Sequence, residues 1–338
     1  MLKKNLVLLI ALALLLSGCG GANEDKEKIQ ENVQKSTSEN NNTSNDKKVK
    51  ENQDPAIKKE PDSPSKSDSK TESNSKIQTT EKPEAVQVQD FMPQPKSFDQ
   101  VVVSNPSALS TKAIGWSWLY SSRDSADLLK KYNGYGFGDT SKKVIYLTFD
   151  EGYENGYTSR ILDTLKANNV HAAFFVTKPY VTGSYNGVPD SELLKRMANE
   201  GHIIANHSVQ HKSMPTFTDE NAFNAELKGV EEAVNSISGC KMSNYFRPPE
   251  GTFSELSLYY TQKLGYKSVF FALAYKDYDV DNQPDPGTAR ATLLKNTRDG
   301  AIVLLHAVSK TNTEILDSLI KEWKSQGYQF KTLDELPS

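Results

Sequence analysis

Aromatic residues are confined to one part of the chain, and this confinement limits where a fold can form. All 31 of them lie at or after Phe91 in a sequence of 338 residues. A hydrophobic core needs large apolar side chains, so residues 1–90 cannot build one, whereas the remaining 248 residues can. The chain therefore divides into an N-terminal part without a core and a C-terminal folded part.

The first 18 residues have the pattern of a secretory leader. Lys3 and Lys4 precede eleven unbroken apolar residues at 6–16, a stretch too short to span a bilayer comfortably. The following Leu16-Ser17-Gly18-Cys19 resembles the lipobox of bacterial lipoproteins. That resemblance implies cleavage before Cys19 and a lipid on its sulfur. The alternative is an ordinary signal peptide in which the cysteine is incidental.

Residues 19–96 are predicted to be a disordered tether. Residues 20–96 contain 13 Lys, no Arg and 15 acidic residues, and no aromatic side chain before Phe91. The formal net charge of the whole chain is −3, which excludes a nucleic-acid partner bound through a strong basic field. We expect contact with a membrane only through the lipid anchor, on the outer face of the cytoplasmic membrane.

The folded part begins with a mixed segment, 97–142, whose aromatic content predicts an extension packed on the domain that follows. Residues 143–338 then alternate between apolar strands and amphipathic helices, which predicts an α/β fold with a parallel sheet, either open or closed as a barrel. Strands are predicted at 144–149, 172–176, 203–205, 245–246, 268–273, 301–305 and 329–332.

Polar side chains gather at the ends of four predicted strands. Asp150-Glu151, His207 with His211, Arg247 and His306 each follow an apolar run, and three of the five histidines of the chain are among them. Reactive residues of parallel α/β folds lie at these carboxyl ends. Two imidazoles with a carboxylate from Glu151 or Asp150 form the ligand set of a catalytic zinc or similar ion.

Each group taken alone also has a structural interpretation. The two spaced histidines can be surface residues, the acidic pair a solvated turn, Arg247 a structural salt bridge and His306 a core histidine. Because all four groups are predicted to lie at one edge of the sheet, a catalytic role is favoured over these structural ones. Arg247 would then keep a carboxylate ionised, and His306 would donate a proton to a leaving amine.

The motifs TFDEG, HSVQH, RPPEG and LLH, in this order and spacing, resemble those of the polysaccharide deacetylase family (carbohydrate esterase family 4, the NodB homology domain) over about residues 143–336. The resemblance implies a distorted (β/α)7 barrel and metal-dependent hydrolysis of N-acetyl groups on β-linked sugars. The wider sequence around these motifs is similar to the sporulation subgroup, which deacetylates N-acetylmuramic acid in cortex peptidoglycan on the route to muramic δ-lactam.

The resemblance also implies a role for each motif residue. Asp150 matches the general base, Arg247 the residue that orients it, His306 the general acid and Asp277 its partner; Glu151, His207 and His211 match the metal ligands, the Glu250 N–H an oxyanion donor and Leu304 the wall of the acetyl pocket. The implied cofactor is a divalent ion, zinc first, with manganese, cobalt and nickel also compatible. The implied partner is the peptidoglycan glycan strand, bound by a monomer.

Three departures from the family pattern leave the activity and its target open. Glu151 replaces an aspartate, Tyr278 and Ala274 replace a tryptophan and an aspartate, and the acidic Glu250 faces a substrate that carries its own carboxylate. The target can therefore be N-acetylglucosamine of the vegetative wall. A wall-binding lipoprotein without turnover and a hydrolase of a non-sugar amide such as a cyclic imide are also compatible with the sequence.

Overall fold

The computed structural model describes residues 98–117 and 123–337. The predicted leader at 1–18, the predicted lipid site at Cys19 and the predicted tether at 19–96 lie outside these residues, as do Trp118 and Tyr120. Within the two described ranges, no helix is both long enough and apolar enough to cross a membrane.

The described part of the chain alternates short strands with helices. In chain order the elements are β1 (Ile114–Gly115), α1 (Arg123–Lys131), β2 (Val144–Glu151), α2 (Thr158–Ala167), β3 (Ala173–Val176), α3 (Lys178–Thr182), β4 (Ser184–Tyr185), β5 (Val188–Pro189), α4 (Ser191–Asn199), β6 (Ile203–Asn206), α5 (Glu220–Asn235), β7 (Tyr245–Phe246), β8 (Thr252–Phe253), α6 (Glu255–Lys263), β9 (Lys267–Ser268), α7 (Pro286–Asn296), β10 (Ala301–His306), α8 (Lys310–Ser325) and β11 (Gln329–Phe330). Short 3₁₀ turns lie at Pro106–Ala108, Met214–Thr216, Pro249–Gly251 and Leu333–Glu335.

The main sheet is parallel and curls towards closure. Its strand order is β10-β2-β3-β6-β7-β9, with β11 also paired to β2. The residues that follow β9 are hydrogen-bonded to β10. Ala272 N–H donates to the Ile302 carbonyl (2.8 Å), and Leu304 N–H donates to the Leu273 carbonyl (2.9 Å). The predicted α/β fold, a distorted barrel of this type, is confirmed.

The strand predicted at 268–273 is shorter than expected. Regular pairing covers only Lys267–Ser268, and Val269 and Leu273 form single bridges. The reason is a change of partner: Phe270 N–H donates to the Tyr135 carbonyl at 2.7 Å, so the extension takes the place of a neighbouring strand here.

The two faces of β2 bury different neighbours. Ile145, Leu147 and Phe149 belong to the core shared with the helices, whereas Val144 and Tyr146 belong to the cluster inside the curled sheet. Successive side chains of a strand point to opposite faces. The alternation therefore sends the side chain of residue 150 into the interior and that of residue 151 towards the helices.

The segment before β2 packs against the loop that follows β7. Trp116 donates its backbone N–H to the Gly251 carbonyl (2.8 Å) and its indole N–H to the Phe271 carbonyl (2.7 Å). A Cβ on Gly136 would lie 2.2 Å from the Trp116 ring, so only glycine permits this approach. The extension thus buttresses the Arg247–Gly251 segment from outside the sheet.

His202 is a buried structural histidine at the start of β6, far from the carboxyl ends of the strands. Its Nδ1 accepts the Ala172 backbone N–H at 3.1 Å, and its Nε2 has no hydrogen-bond partner among the described residues. Burial, together with the charge of His171, lowers the pKa of His202 to about 4 from 6.5. The folded state therefore holds this ring neutral under mildly acidic conditions.

We expect His202 to make the protein acid-sensitive. Between pH 6.5 and 4 the unfolded chain protonates this imidazole and the folded chain does not, so the free energy of unfolding should fall as the pH falls, with His202 alone contributing about 3 kcal/mol. Buried His207 contributes a similar loss, so urea denaturation at several pH values should show a loss in His202→Asn that is smaller than in the wild type by about the His202 share. The amide oxygen of the asparagine can still accept from Ala172. Equal losses in both proteins would contradict the assignment.

Candidate active site

A buried ion pair lies at the carboxyl end of the sheet. Arg247, which is 1% exposed, donates from Nη1 to Asp150 Oδ1 at 2.6 Å. Its Nη2 donates to Thr148 Oγ1 (2.9 Å), and its guanidinium lies 4.1 Å from the centre of the Phe175 ring. The interior face of the sheet thus fixes both the position and the plane of the cation beneath Asp150.

Asp150 is held in its anionic form. Burial by itself would raise the pKa of Asp150, but the guanidinium of Arg247 and the neighbouring imidazoles of His207 and His306 outweigh it, so the pKa lies below its usual value. Its second oxygen, Oδ2, lies 3.4 Å from Nε2 of His207. A carboxylate in this state can accept a proton at neutral pH.

The two histidines that follow β6 lie together. Their rings are 4.8 Å apart between centres and nearly perpendicular. His207 donates from Nδ1 to the Arg247 carbonyl (2.8 Å), and burial lowers its pKa to about 4, so Nε2 carries a free electron pair at neutral pH. His211 is exposed and has a left-handed backbone conformation, with φ 52°.

Glu151 does not join these histidines. Its side chain is fully buried on the helix-facing side of β2, where Oε1 accepts from Thr158 Oγ1 at 3.4 Å and Oε2 has no partner among the described residues. Burial and the nearby Glu154 raise the pKa of Glu151 well above its usual value. The strand alternation that points Asp150 inward points Glu151 outward.

The predicted metal centre is therefore not assembled as the motifs implied. Residues 98–117 and 123–337 contain no group of three or more His, Cys, Asp or Glu side chains arranged to hold a metal ion. In this structure the Glu151 carboxylate lies apart from His207 and His211, so the expected set lacks its carboxylate, and the role of Glu151 as a ligand stays a prediction. The imidazoles of His207 and His211 remain as potential nitrogen ligands.

His306 and Asp277 form a second pair beside Asp150. His306 ends β10 directly opposite Asp150 in the strand pairing, and its ring Nδ1 donates to Asp277 Oδ1 at 2.7 Å. Burial opposes protonation, but Asp277 and Asp150 outweigh it and raise the pKa of His306. Because Nδ1 faces Asp277, Nε2 is the atom left to exchange a proton with a substrate.

Two further residues of the predicted site lie on the same end of the sheet. Leu304 is buried in β10, two residues before His306. Glu250 has an exposed side chain and a left-handed backbone, with φ 59°, inside the turn Pro249–Gly251. Their roles in the acetyl pocket and as an oxyanion donor stay predictions.

The geometry thus places two groups of opposite protonation on neighbouring strands. Asp150 is anionic because Arg247 and the two facing histidines favour its charge, and His306 is readily protonated because Asp277 does the same for it. Pairs whose pKa values are pushed apart in this way perform general base and general acid catalysis. The arrangement suits hydrolysis of an amide or ester.

Sequence reasoning missed three polar residues that support the site. Thr148 bridges Arg247 and the Val303 carbonyl. Buried Glu226 in α5 accepts both the backbone and side-chain N–H groups of Gln210, between the two histidines. Asn312 in α8 donates to Asp277 Oδ2 at 2.6 Å. Thr148 lies within the TFDEG motif, whereas no sequence signal marks Glu226 or Asn312.

The chain is similar in sequence to known proteins. The sequence profile of the family described as polysaccharide deacetylase matches residues 137–269. The peptidoglycan-N-acetylmuramic acid deacetylase PdaA of Bacillus subtilis (strain 168) is 44% identical over 209 residues, which cover 62% of this chain and 77% of that protein.

The chain is also similar to solved structures of family 4 carbohydrate esterases. The structure of Bacillus subtilis PdaA, a family 4 carbohydrate esterase, has a TM-score of 0.63 and 41% identity, covering 68% of this chain and 98% of that chain. The structure of a family 4 carbohydrate esterase from Bacillus anthracis has a TM-score of 0.58 and 40% identity, with the same two shares covered.

The position of Glu151 leads to a prediction about substitution. We expect Glu151→Gln to keep acetate release within about threefold of the wild type, because glutamine copies the neutral acid that burial favours at this position. Acetate release would be measured before and after chelation of divalent ions, and the response to chelation should be the same in both proteins. A hundredfold loss, or a loss that added metal rescues, would restore Glu151 as a ligand.

Proposed function

Because the chain belongs to the polysaccharide deacetylase family, we propose that it hydrolyses the N-acetyl group of N-acetylmuramic acid in peptidoglycan. The observation that carries the proposal is the pairing of anionic Asp150 with protonatable His306 on adjacent strands, at the same end of the sheet. The name of the Bacillus subtilis relative supports the choice of sugar.

In the proposed reaction, Asp150 removes a proton from water as the water oxygen attacks the acetamide carbonyl carbon. Arg247 keeps Asp150 ionised and oriented through the 2.6 Å contact. The Glu250 N–H stabilises the oxyanion of the tetrahedral intermediate. His306, held by Asp277, then gives its Nε2 proton to the sugar nitrogen, the C–N bond breaks, and acetate and a free amine leave.

The requirement for a divalent ion stays a prediction. His207 and His211 supply two nitrogen ligands, but Glu151 does not supply the third, so no step of the reaction above is assigned to a metal. The response of acetate release to chelation, and to zinc, manganese, cobalt or nickel, tests this requirement directly.

The site of action is also a proposal. We propose that the protein acts outside the cytoplasmic membrane during sporulation as a monomer, held by a lipid on Cys19 and reaching cortex glycan strands through the tether at 19–96. Peptidoglycan lies outside that membrane, and the lipobox resemblance at residues 16–19 supplies the anchor.

Replacement of the base gives a direct test of the chemistry. Asp150→Asn should lower acetate release from peptide-stripped glycan strands by at least about a hundredfold, because the amide cannot accept the proton of water. Circular dichroism and thermal unfolding should verify that the variant folds. A folded variant with wild-type activity would remove Asp150 from the mechanism.

The product identifies the sugar. Mass spectrometry of glycan strands digested after reaction with the wild type should show muramic acid without its acetyl group, or muramic δ-lactam. Free glucosamine in place of these products would assign the activity to N-acetylglucosamine instead. Unchanged strands under all metal conditions would support a wall-binding protein without turnover.

The anchor can be tested in growing cells. A labelled fatty acid should be incorporated into the wild-type protein and not into Cys19→Ser, because only the thiol can carry the predicted thioether. The wild type should sediment with membranes, and the variant should not. Equal labelling of both proteins would show that Cys19 is incidental; Cys240→Ser serves as the matched control.

A further inference from the structure

We propose, on the basis of the deacetylase function above, that Asn312 is a positioning residue that fixes the Asp277 carboxylate and, through it, the ring of His306. Asn312 is fully buried in the first turn of α8. It lies 35 residues from Asp277 in sequence, outside all four motifs.

Asp277 needs such support because of where it lies. Residues 274–285 contain neither a helix nor a strand, so no backbone ladder holds this loop. The loop is held by side chains: Gln283 donates to the carbonyls of Asp277 (3.0 Å) and Asp279 (2.7 Å) and accepts from Ser309. These contacts place the backbone of Asp277 and leave its carboxylate to be oriented by other groups.

Asn312 supplies that orientation. Its Nδ2 donates to Asp277 Oδ2 at 2.6 Å and to the His306 carbonyl at 3.0 Å. Both partners only accept hydrogen bonds, so the amide nitrogen must face them and the amide oxygen must face the opposite way. On that side the Tyr275 hydroxyl donates to Asn312 Oδ1 at 2.5 Å, which fixes the amide in the same orientation.

Both oxygens of the Asp277 carboxylate then accept hydrogen bonds. Asp277 Oδ1 accepts from His306 Nδ1 at 2.7 Å, while Oδ2 accepts from the His306 backbone N–H at 2.8 Å and from Asn312. The Asn312 amide therefore binds both the Asp277 carboxylate, which holds the His306 imidazole, and the backbone carbonyl of His306. This linkage keeps the carboxylate in the plane that leaves His306 Nε2 directed at the substrate.

The test replaces Asn312 with leucine. Leucine has the same branching of side-chain heavy atoms, favours the helix and adds no charge, but it removes both N–H donors. The charged groups that face His306 are Asp277 from the loop, Asp150 from β2 and Arg247 from the segment after β7, and none of them is altered. We expect kcat/KM to fall between about tenfold and a hundredfold with little change in KM.

A second readout does not depend on turnover. NMR titration of labelled histidine should show that the pKa of His306 falls towards the ordinary value in Asn312→Leu, since an Asp277 carboxylate that has lost its Asn312 donor turns away from the His306 ring. His306→Gln assigns the resonance. Asn312→Ala provides the same comparison where leucine prevents folding, which thermal unfolding would reveal.

Tyr275→Phe is the matched control, because it removes a buried hydrogen bond from the same network but leaves both Nδ2 donors in place. It should change the pKa of His306 and kcat/KM far less than Asn312→Leu does. An unchanged or higher pKa in a folded Asn312→Leu protein would overturn the positioning role. Failure of the wild type to release acetate would instead overturn the deacetylase function, and the titration result would still stand.

Discussion

The buried contact between Arg247 and Asp150 is the constraint on which the rest of the site depends. A guanidinium inside a curled sheet is tolerated only when acceptors surround it, and here Asp150, Thr148 and the carbonyls of Val269 and Phe270 fill that role. Removal of one partner from such a buried pair typically costs about 3–5 kcal/mol. The same contact that joins the end of β2 to the segment after β7 sets the charge of the carboxylate.

The alternation of side chains along β2 places Asp150 and Glu151 in two different environments. Asp150 faces charged and polar groups in the interior, whereas Glu151 faces Thr158 and the helix layer. Motif matching treats the two positions as one functional unit, since they are adjacent in sequence. The strand geometry separates them, and this is why the expected ligand set is incomplete.

Much of the architecture was predictable because strand and helix periodicities are local properties of the sequence. The apolar run before Asp150 and the helical spacing of Ile161, Leu162 and Leu165 specify their elements without any tertiary information. The family resemblance likewise directed attention to the residues that the structure brings together at one end of the sheet. Two-residue strands such as β4 and β5 are too short to leave a periodic signal, although Asn186 and Gly187 between them adopt the left-handed conformations of a tight hairpin turn.

The support of the site was not predictable, because it depends on contacts between distant residues. Asn312 and Glu226 lie on helices whose sequences show only amphipathic spacing, and their partners are specified by how those helices pack. The side of the strand on which Glu151 is buried depends in the same way on register across the whole sheet. Local sequence therefore specifies elements and strand ends, while tertiary packing specifies which polar groups meet.

The packing of Trp116 has a consequence for the order of folding. Its indole partner, Phe271, lies 155 residues further along the chain. During synthesis this contact cannot form until β2, β3, β6, β7 and β9 have been made, and contacts of such long sequence separation are slow to close. The extension is therefore synthesised well before the partner on which it docks, and the segment that carries Glu250 receives its outer support through a contact of long sequence separation.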